Sequence, residues 1–255
     1  KAYLVKLSDR GCEILCSHDT IISSGQNVET DLMDARGDTF MVSNFYQGSI
    51  SFYQISKNSS IRFLEEIDCS PRKKNMHGLR FIPGHDDLVW VTYCGIKNKS
   101  HEIWDISKKE IIHSFNADQQ CQDIAFLDDY AIVYARTDHI WVNKKPKWWS
   151  IKKMYATAYV YKFNDLYSTP PKLISTWRGK GHIDAAMEYQ GRIYAANQYL
   201  GRVDIFDINS YGRINLIKSI GGYGMPHGLD VKKDKLYVTD YLDQALKVST
   251  LEEYF

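Results

Sequence analysis

Three of the eight histidines in this 255-residue chain sit in similar company. His77 opens His77-Gly78-Leu79-Arg80-Phe81, His182 opens His182-Ile183-Asp184-Ala185, and His227 opens His227-Gly228-Leu229-Asp230-Val231. Imidazole nitrogens ligate zinc, copper, iron and nickel, and three of them leave positions open for water or a substrate. Water on such an ion becomes a nucleophile or base near neutral pH. His77, His182 and His227 are therefore candidate ligands of one divalent transition metal, zinc first. The alternative is structural, since a histidine ahead of a strand can cap backbone groups or bond a neighbouring segment. Asp31, Asp123, Asp184 and Asp230 recur near the same places. They would either orient the imidazoles or satisfy backbone donors.

Histidines this far apart meet only if a repeated unit brings them together, and such a unit is present. It opens with a polar residue and a short apolar strand, turns, and continues with a more apolar strand, a third and usually a fourth. Openings fall at Thr30, His77, Gln122, His182 and His227, in steps of 47, 45, 60 and 45 residues. Arg36-Gly37-Asp38, Pro83-Gly84-His85-Asp86 and Gln190-Gly191 supply turns between first and second strands. A period of roughly 40–50 residues with four short strands defines a β-propeller blade. The expected fold is all-β: one domain over 1–255, five blades, with a six-bladed ring as the alternative. Only 28 residues follow His227 and 29 precede Thr30. The terminal strands are therefore expected to share one closing blade.

Pro226-His227-Gly228-Leu229-Asp230-Val231 and Lys235-Leu236-Tyr237-Val238-Thr239-Asp240 resemble the blades of NHL and YVTN-type propellers. That resemblance implies a fold and says little of activity. The three channel histidines also resemble those of peptidyl-hydroxyglycine amidating lyases, a likeness that implies zinc. No further motif of that family is present.

In a propeller the first strand of each blade lines the channel, so Thr30, His77, Gln122, His182 and His227 are expected to form a ring at one end. The second strands end at Asn44, Tyr93, Arg136, Asn197 and Asp240, a second expected ring. Its mixture of donors and acceptors suits a small polar ligand such as a sugar or carboxylate. Turn chemistry and bonds between blades are the competing use. The 60-residue step holds an insertion in which five lysines flank Trp148 and Trp149. Such a loop could grip a sugar face, an anionic polymer or a membrane surface, cover the channel, or simply pack on a blade edge.

Thirty-two basic and 31 acidic residues give a formal net charge of +1, which argues against a dedicated nucleic-acid partner. No apolar run approaches the roughly 18 residues of a membrane-spanning helix. Five cysteines without a C-x-x-C pair read as reduced, buried thiols. Two function classes follow: a module binding a small polar molecule or glycan at the channel mouth, and a metal-dependent lyase or hydrolase using the three histidines. The sequence assigns no catalytic acid or base and no compartment.

Overall fold

The computed structural model describes residues 2–8, 11–19, 30–69, 75–95, 98–137, 141–142, 145–146 and 154–251. Strands β1 (Ala2–Ser8) and β2 (Gly11–His18) form a hairpin. Blade 1 follows as β3 (Thr30–Arg36), β4 (Thr39–Asn44), β5 (Ser49–Ile55) and β6 (Ile61–Asp68). Blade 2 is β7 (Met76–Phe81), β8 (Leu88–Gly95), β9 (Asn98–Asp105) and β10 (Glu110–Asn116). Blade 3 begins with β11 (Gln120–Leu127) and β12 (Tyr130–Arg136). A small pair, β13 (Trp141–Val142) and β14 (Lys145–Pro146), interrupts it before β15 (Tyr155–Lys162) and β16 (Lys172–Lys180) complete it. Blade 4 is β17 (Ile183–Tyr189), β18 (Arg192–Asn197), β19 (Arg202–Ile208) and β20 (Ile214–Gly221). Blade 5 is β21 (Pro226–Lys232), β22 (Lys235–Asp240) and β23 (Ala245–Thr250). Every neighbouring pair is antiparallel, and the five sheets stand in a ring.

Burial explains why these segments take these places. The second strands β8 and β12 are buried along almost their whole length, because sheets cover both of their faces. The outer strands β6 and β16 alternate between exposed and half-buried residues, with one face toward solvent. Trp90, Tyr134 and Phe206 are fully buried between blades, and Tyr53 is fully buried within blade 1. Cys69, Cys94 and Cys121 are buried free thiols. Among the described residues no helix is long and apolar enough to cross a membrane.

The expected closure differs from the observed one. Among the described residues β1 and β2 pair with each other and not with β23, and blade 5 has three strands from the C-terminal segment alone. The hairpin turns within two residues, Ser8 facing Gly11. Pairing β1 with β23 would close a loop of more than 200 residues, which is entropically dearer. Blades 5 and 1 meet instead through side chains, with His227 Nε2 3.9 Å from Asp31 Oδ1.

Arg80 crosses the channel. Its guanidinium contacts the Asp123 carboxylate and donates to Met33 O (2.9 Å), Ile124 O (3.1 Å) and Ala186 O (3.1 Å). One side chain of blade 2 thereby ties blades 1, 3 and 4. Beyond it, at the far ends of the first strands, a cavity of about 600 Å³ opens among Met33, Phe81, Phe126, Met187 and Leu229.

Candidate functional site

Each first strand carries one residue more than its partner at the same place. The register slips between Thr30 and Met33, Met76 and Leu79, Cys121 and Ile124, Ile183 and Ala185, and Pro226 and Leu229. Such β-bulges re-aim side chains. Here the first bulged residues are Asp31, His77, Gln122, Asp184 and His227. This corrects the expected ring in two places. Asp31, and not Thr30, takes the position in blade 1. In blade 4 Asp184 takes it, and His182 reaches in from just before β17.

The bulges free backbone donors, and hydroxyls on the second strands accept from them. Leu32 N donates to Ser43 Oγ (3.0 Å), Gly78 N to Thr92 Oγ1 (2.8 Å) and Gly228 N to Thr239 Oγ1 (2.8 Å). Two of these hydroxyls also reach the next blade: Ser43 Oγ donates to His77 O and Thr92 Oγ1 to Gln122 O. Gly78 is required by this packing, because a Cβ there would lie 2.3 Å from Gln122 O.

The three histidines do converge. His182 Nε2 lies 3.1 Å from Asp184 Oδ1, His227 Nε2 3.0 Å from Asp184 Oδ2, and His77 Nε2 3.6 Å from Asp184 Oδ1. Asp31 Oδ2 stands 3.4 Å from His77 Nε2 on the other side. His77 Nδ1 faces Gln122 O at 3.1 Å. His77 and His182 are buried, while His227 is 23% exposed at the side chain and opens the cluster to solvent.

Charge separates the three rings. Burial pulls His77 down, but Asp31 and Asp184 outweigh it and hold the imidazole up at about 9. His227 is likewise raised, by Asp184 against burial. His182 is pushed down to about 4 by burial, with the Arg136 charge adding to it despite Asp184. Asp184 would be raised by burial, yet the facing imidazoles hold it well below the carboxylate range. Burial raises Asp31. The site thus combines protonated and neutral imidazoles around an ionised carboxylate, an arrangement able to donate and accept protons.

The second expected ring is mostly braced within its own blades, with one bond from Asn197 back to blade 3. Asn44 donates to Ser49 and Ser51 (both 2.9 Å), Tyr93 to Glu102 (2.9 Å), and Asn197 to Lys180 O (3.0 Å) and Asp204 (2.7 Å). Asp240 accepts from Gly224 N (2.7 Å) and Met225 N (2.9 Å) and pairs with Lys247. Arg136 stands apart. In register Ala135, and not Arg136, matches Asn44, Tyr93, Asn197 and Asp240. Arg136 lies one residue further out, level with Phe45, Cys94, Gln198 and Tyr241. Phe45 faces His77 (6.4 Å between ring centroids), Tyr241 faces His227 (5.5 Å) and Tyr199 faces His182 (5.1 Å). Sequence reasoning missed these three aromatics, although each follows the end of a second strand by one or two residues. Trp148 and Trp149 lie outside the described residues.

The four recurring aspartates divide their work. Asp31 and Asp184 face the histidines, Asp123 pairs with Arg80, and Asp230 accepts from its neighbour Val231 N (2.8 Å). Among the described residues no group of three His, Cys, Asp or Glu side chains is arranged to hold a metal ion. The three Nε2 atoms point at carboxylate oxygens instead.

No protein-family model matches the chain, and neither does any curated protein. Solved structures do. A protein from Lactobacillus plantarum aligns over 96% of this chain and 76% of its own length, with 12% identity and a TM-score of 0.60. Hydrazine synthase from Kuenenia stuttgartiensis aligns over 84% and 68%, with 11% identity and a TM-score of 0.61. The Cps50 β-propeller domain of Myceliophteria thermophila aligns over 84% and 67%, with 10% identity and a TM-score of 0.54. At these identities the likeness shows the architecture alone: the chain is a five-bladed β-propeller.

Proposed function

We propose that this propeller binds a small polar molecule, or the end of a glycan, at the histidine mouth of its channel. The observation that carries the reading is the convergence of His77, His182 and His227 on Asp184, beside Asp31, in a cluster open to solvent at His227. Tyr241, 69% exposed above His227, and Tyr199 beside His182 supply flat faces suited to a sugar ring. The His77-Gly78-Leu79 and His227-Gly228-Leu229 openings support a likeness to NHL-type propellers.

The test is a thermal-shift screen of metabolites and oligosaccharides on wild type, Asp184→Asn and Tyr241→Ala. A ligand that stabilises wild type and loses its effect in both variants supports the reading. A screen with no stabilising ligand refutes it. Trp148→Ala/Trp149→Ala enters the same screen as the test of a glycan contact on the insertion.

A metal-assisted lyase or hydrolase is the second reading, favoured by the approach of three Nε2 atoms to one place. It requires the imidazoles to turn from carboxylate to ion. Zinc that raises the melting temperature of wild type but not of His182→Ala would favour it, and an unchanged wild type would end it.

A further inference from the structure

Arg136 ends β12, and its Nε and Nη1 are enclosed without a hydrogen-bond partner among the described residues. Enclosing guanidinium donors without an acceptor is unfavourable, because their water is lost and nothing replaces it. No carboxylate of the described residues forms an ion pair with Arg136: Asp184 faces three imidazoles and Asp123 holds Arg80. Arginine presents its donors as a planar fork that fits carboxylate and phosphate oxygens.

His182 carries the complementary vacancy. The Gln122 amide nitrogen donates to Gln120 O (3.2 Å) and Cys121 O (3.4 Å), which turns Oε1 toward His182 Nε2 at 3.1 Å. Asp184 Oδ1 faces the same nitrogen at 3.1 Å. Both are acceptors, so Nε2 carries the proton of the neutral ring and Nδ1 is a bare lone pair. Nδ1 is buried and has no partner among the described residues. Arg136 sits opposite Gln120 in the β11–β12 register, and the Gln120 carbonyl holds the Gln122 side chain that touches His182; its charge acts on both His182 and Tyr199. The mouth therefore lacks one anionic acceptor and one hydroxyl-type donor.

We propose that its ligand is a sugar acid, whose anionic group is taken by Arg136 Nε and Nη1 while a hydroxyl donates to His182 Nδ1. This rests on the channel-mouth reading and names the ligand class for it. Four probes at constant ionic strength test it by calorimetric titration: D-glucuronate, glucose 6-phosphate, glucose and cyclohexanecarboxylate. The expected result is saturable binding of glucuronate or glucose 6-phosphate, at least about tenfold tighter than either glucose or cyclohexanecarboxylate. Which of the two binds distinguishes a carboxylate from a phosphate ligand. Arg136→Gln should reduce that affinity to the level of glucose, with Arg136→Lys between.

The ligand-free melting temperature separates binding from bracing. Arg136→Met should melt at or above wild type, because an unpaired donor is removed. A clear fall would assign Arg136 a structural role and overturn the proposal. So would acids that bind no tighter than glucose, or an affinity indifferent to Arg136→Gln. If glucose binds in an Asp184-dependent way under those outcomes, the channel-mouth reading stands without the sugar-acid claim. Failure of all four probes overturns the sugar-acid claim, and the mouth reading is then decided by the wider screen.

Discussion

Arg80→Met should be among the most damaging single substitutions in this protein. The side chain is mostly buried, pairs with a fully buried Asp123, and donates to backbone carbonyls of three residues on blades 1, 3 and 4. Methionine fills similar space, so a cavity contributes little. The loss comes from an uncompensated carboxylate. Asp123 Oδ2 would keep Ala186 N at 2.9 Å but lose its charged partner, and its Oδ1 has no hydrogen-bond partner among the described residues even in wild type. Breaking one side of a buried pair costs roughly 3–5 kcal/mol. At about 2–4 °C per kcal/mol for a domain of this size, the melting temperature should fall by roughly 6–20 °C. Calorimetry or urea denaturation measures this directly. Arg80→Met/Asp123→Asn should recover part of the loss, because the amide removes the stranded charge. Burial raises Asp123 even with Arg80 present. A carboxyl raised in the folded state stabilises at low pH and loses that contribution as pH rises. The deficit of Arg80→Met should therefore narrow as pH falls toward the carboxylate range. A fall below about 2 °C, or a double variant whose losses simply add, would refute the reasoning.

Further outcomes follow from the bulges and the histidine cluster. Gly78→Ala places a Cβ 2.3 Å from Gln122 O and 2.7 Å from Asp123 Cα, so blades 2 and 3 must part. The expected loss is about 1–3 kcal/mol, read by denaturant midpoint, and an unchanged midpoint would show that the seam yields freely. His77, held at about 9 in the folded chain, contributes stability that is complete below the ordinary imidazole value and is lost as pH rises to about 9. The contribution is on the order of 3 kcal/mol. Melting curves of wild type should decline across that window, and His77→Gln should flatten the decline; identical slopes would refute the assignment.

Much of the architecture is legible in the chain. The openings at His77, Gln122, His182 and His227 mark real blades, and Leu88–Gly95 and Tyr130–Arg136 form inner strands as their apolar runs suggest. Strand periodicity and turn residues are local signals, and each blade is built mainly from consecutive strands. The convergence of His77, His182 and His227 also follows from their repeated place at the openings of the blades.

Phase is what the tertiary structure alone decides. A bulge adds one residue to one strand without disturbing the apolar pattern, so neighbours such as Thr30 and Asp31, or Ala135 and Arg136, cannot be ranked before the register is known. That single step puts Asp31 and Asp184 among the histidines. It also frees Arg136 from the bracing role that Asn44, Asn197 and Asp240 perform. The Arg80 bridge is equally invisible in the sequence, since its carbonyl acceptors reach as far as Ala186, 106 residues away. The sequence determines the five-fold repeat because strands and turns are local. The ring's closure, its register and its charge pairing are set only when the blades meet, because each depends on contacts between distant segments.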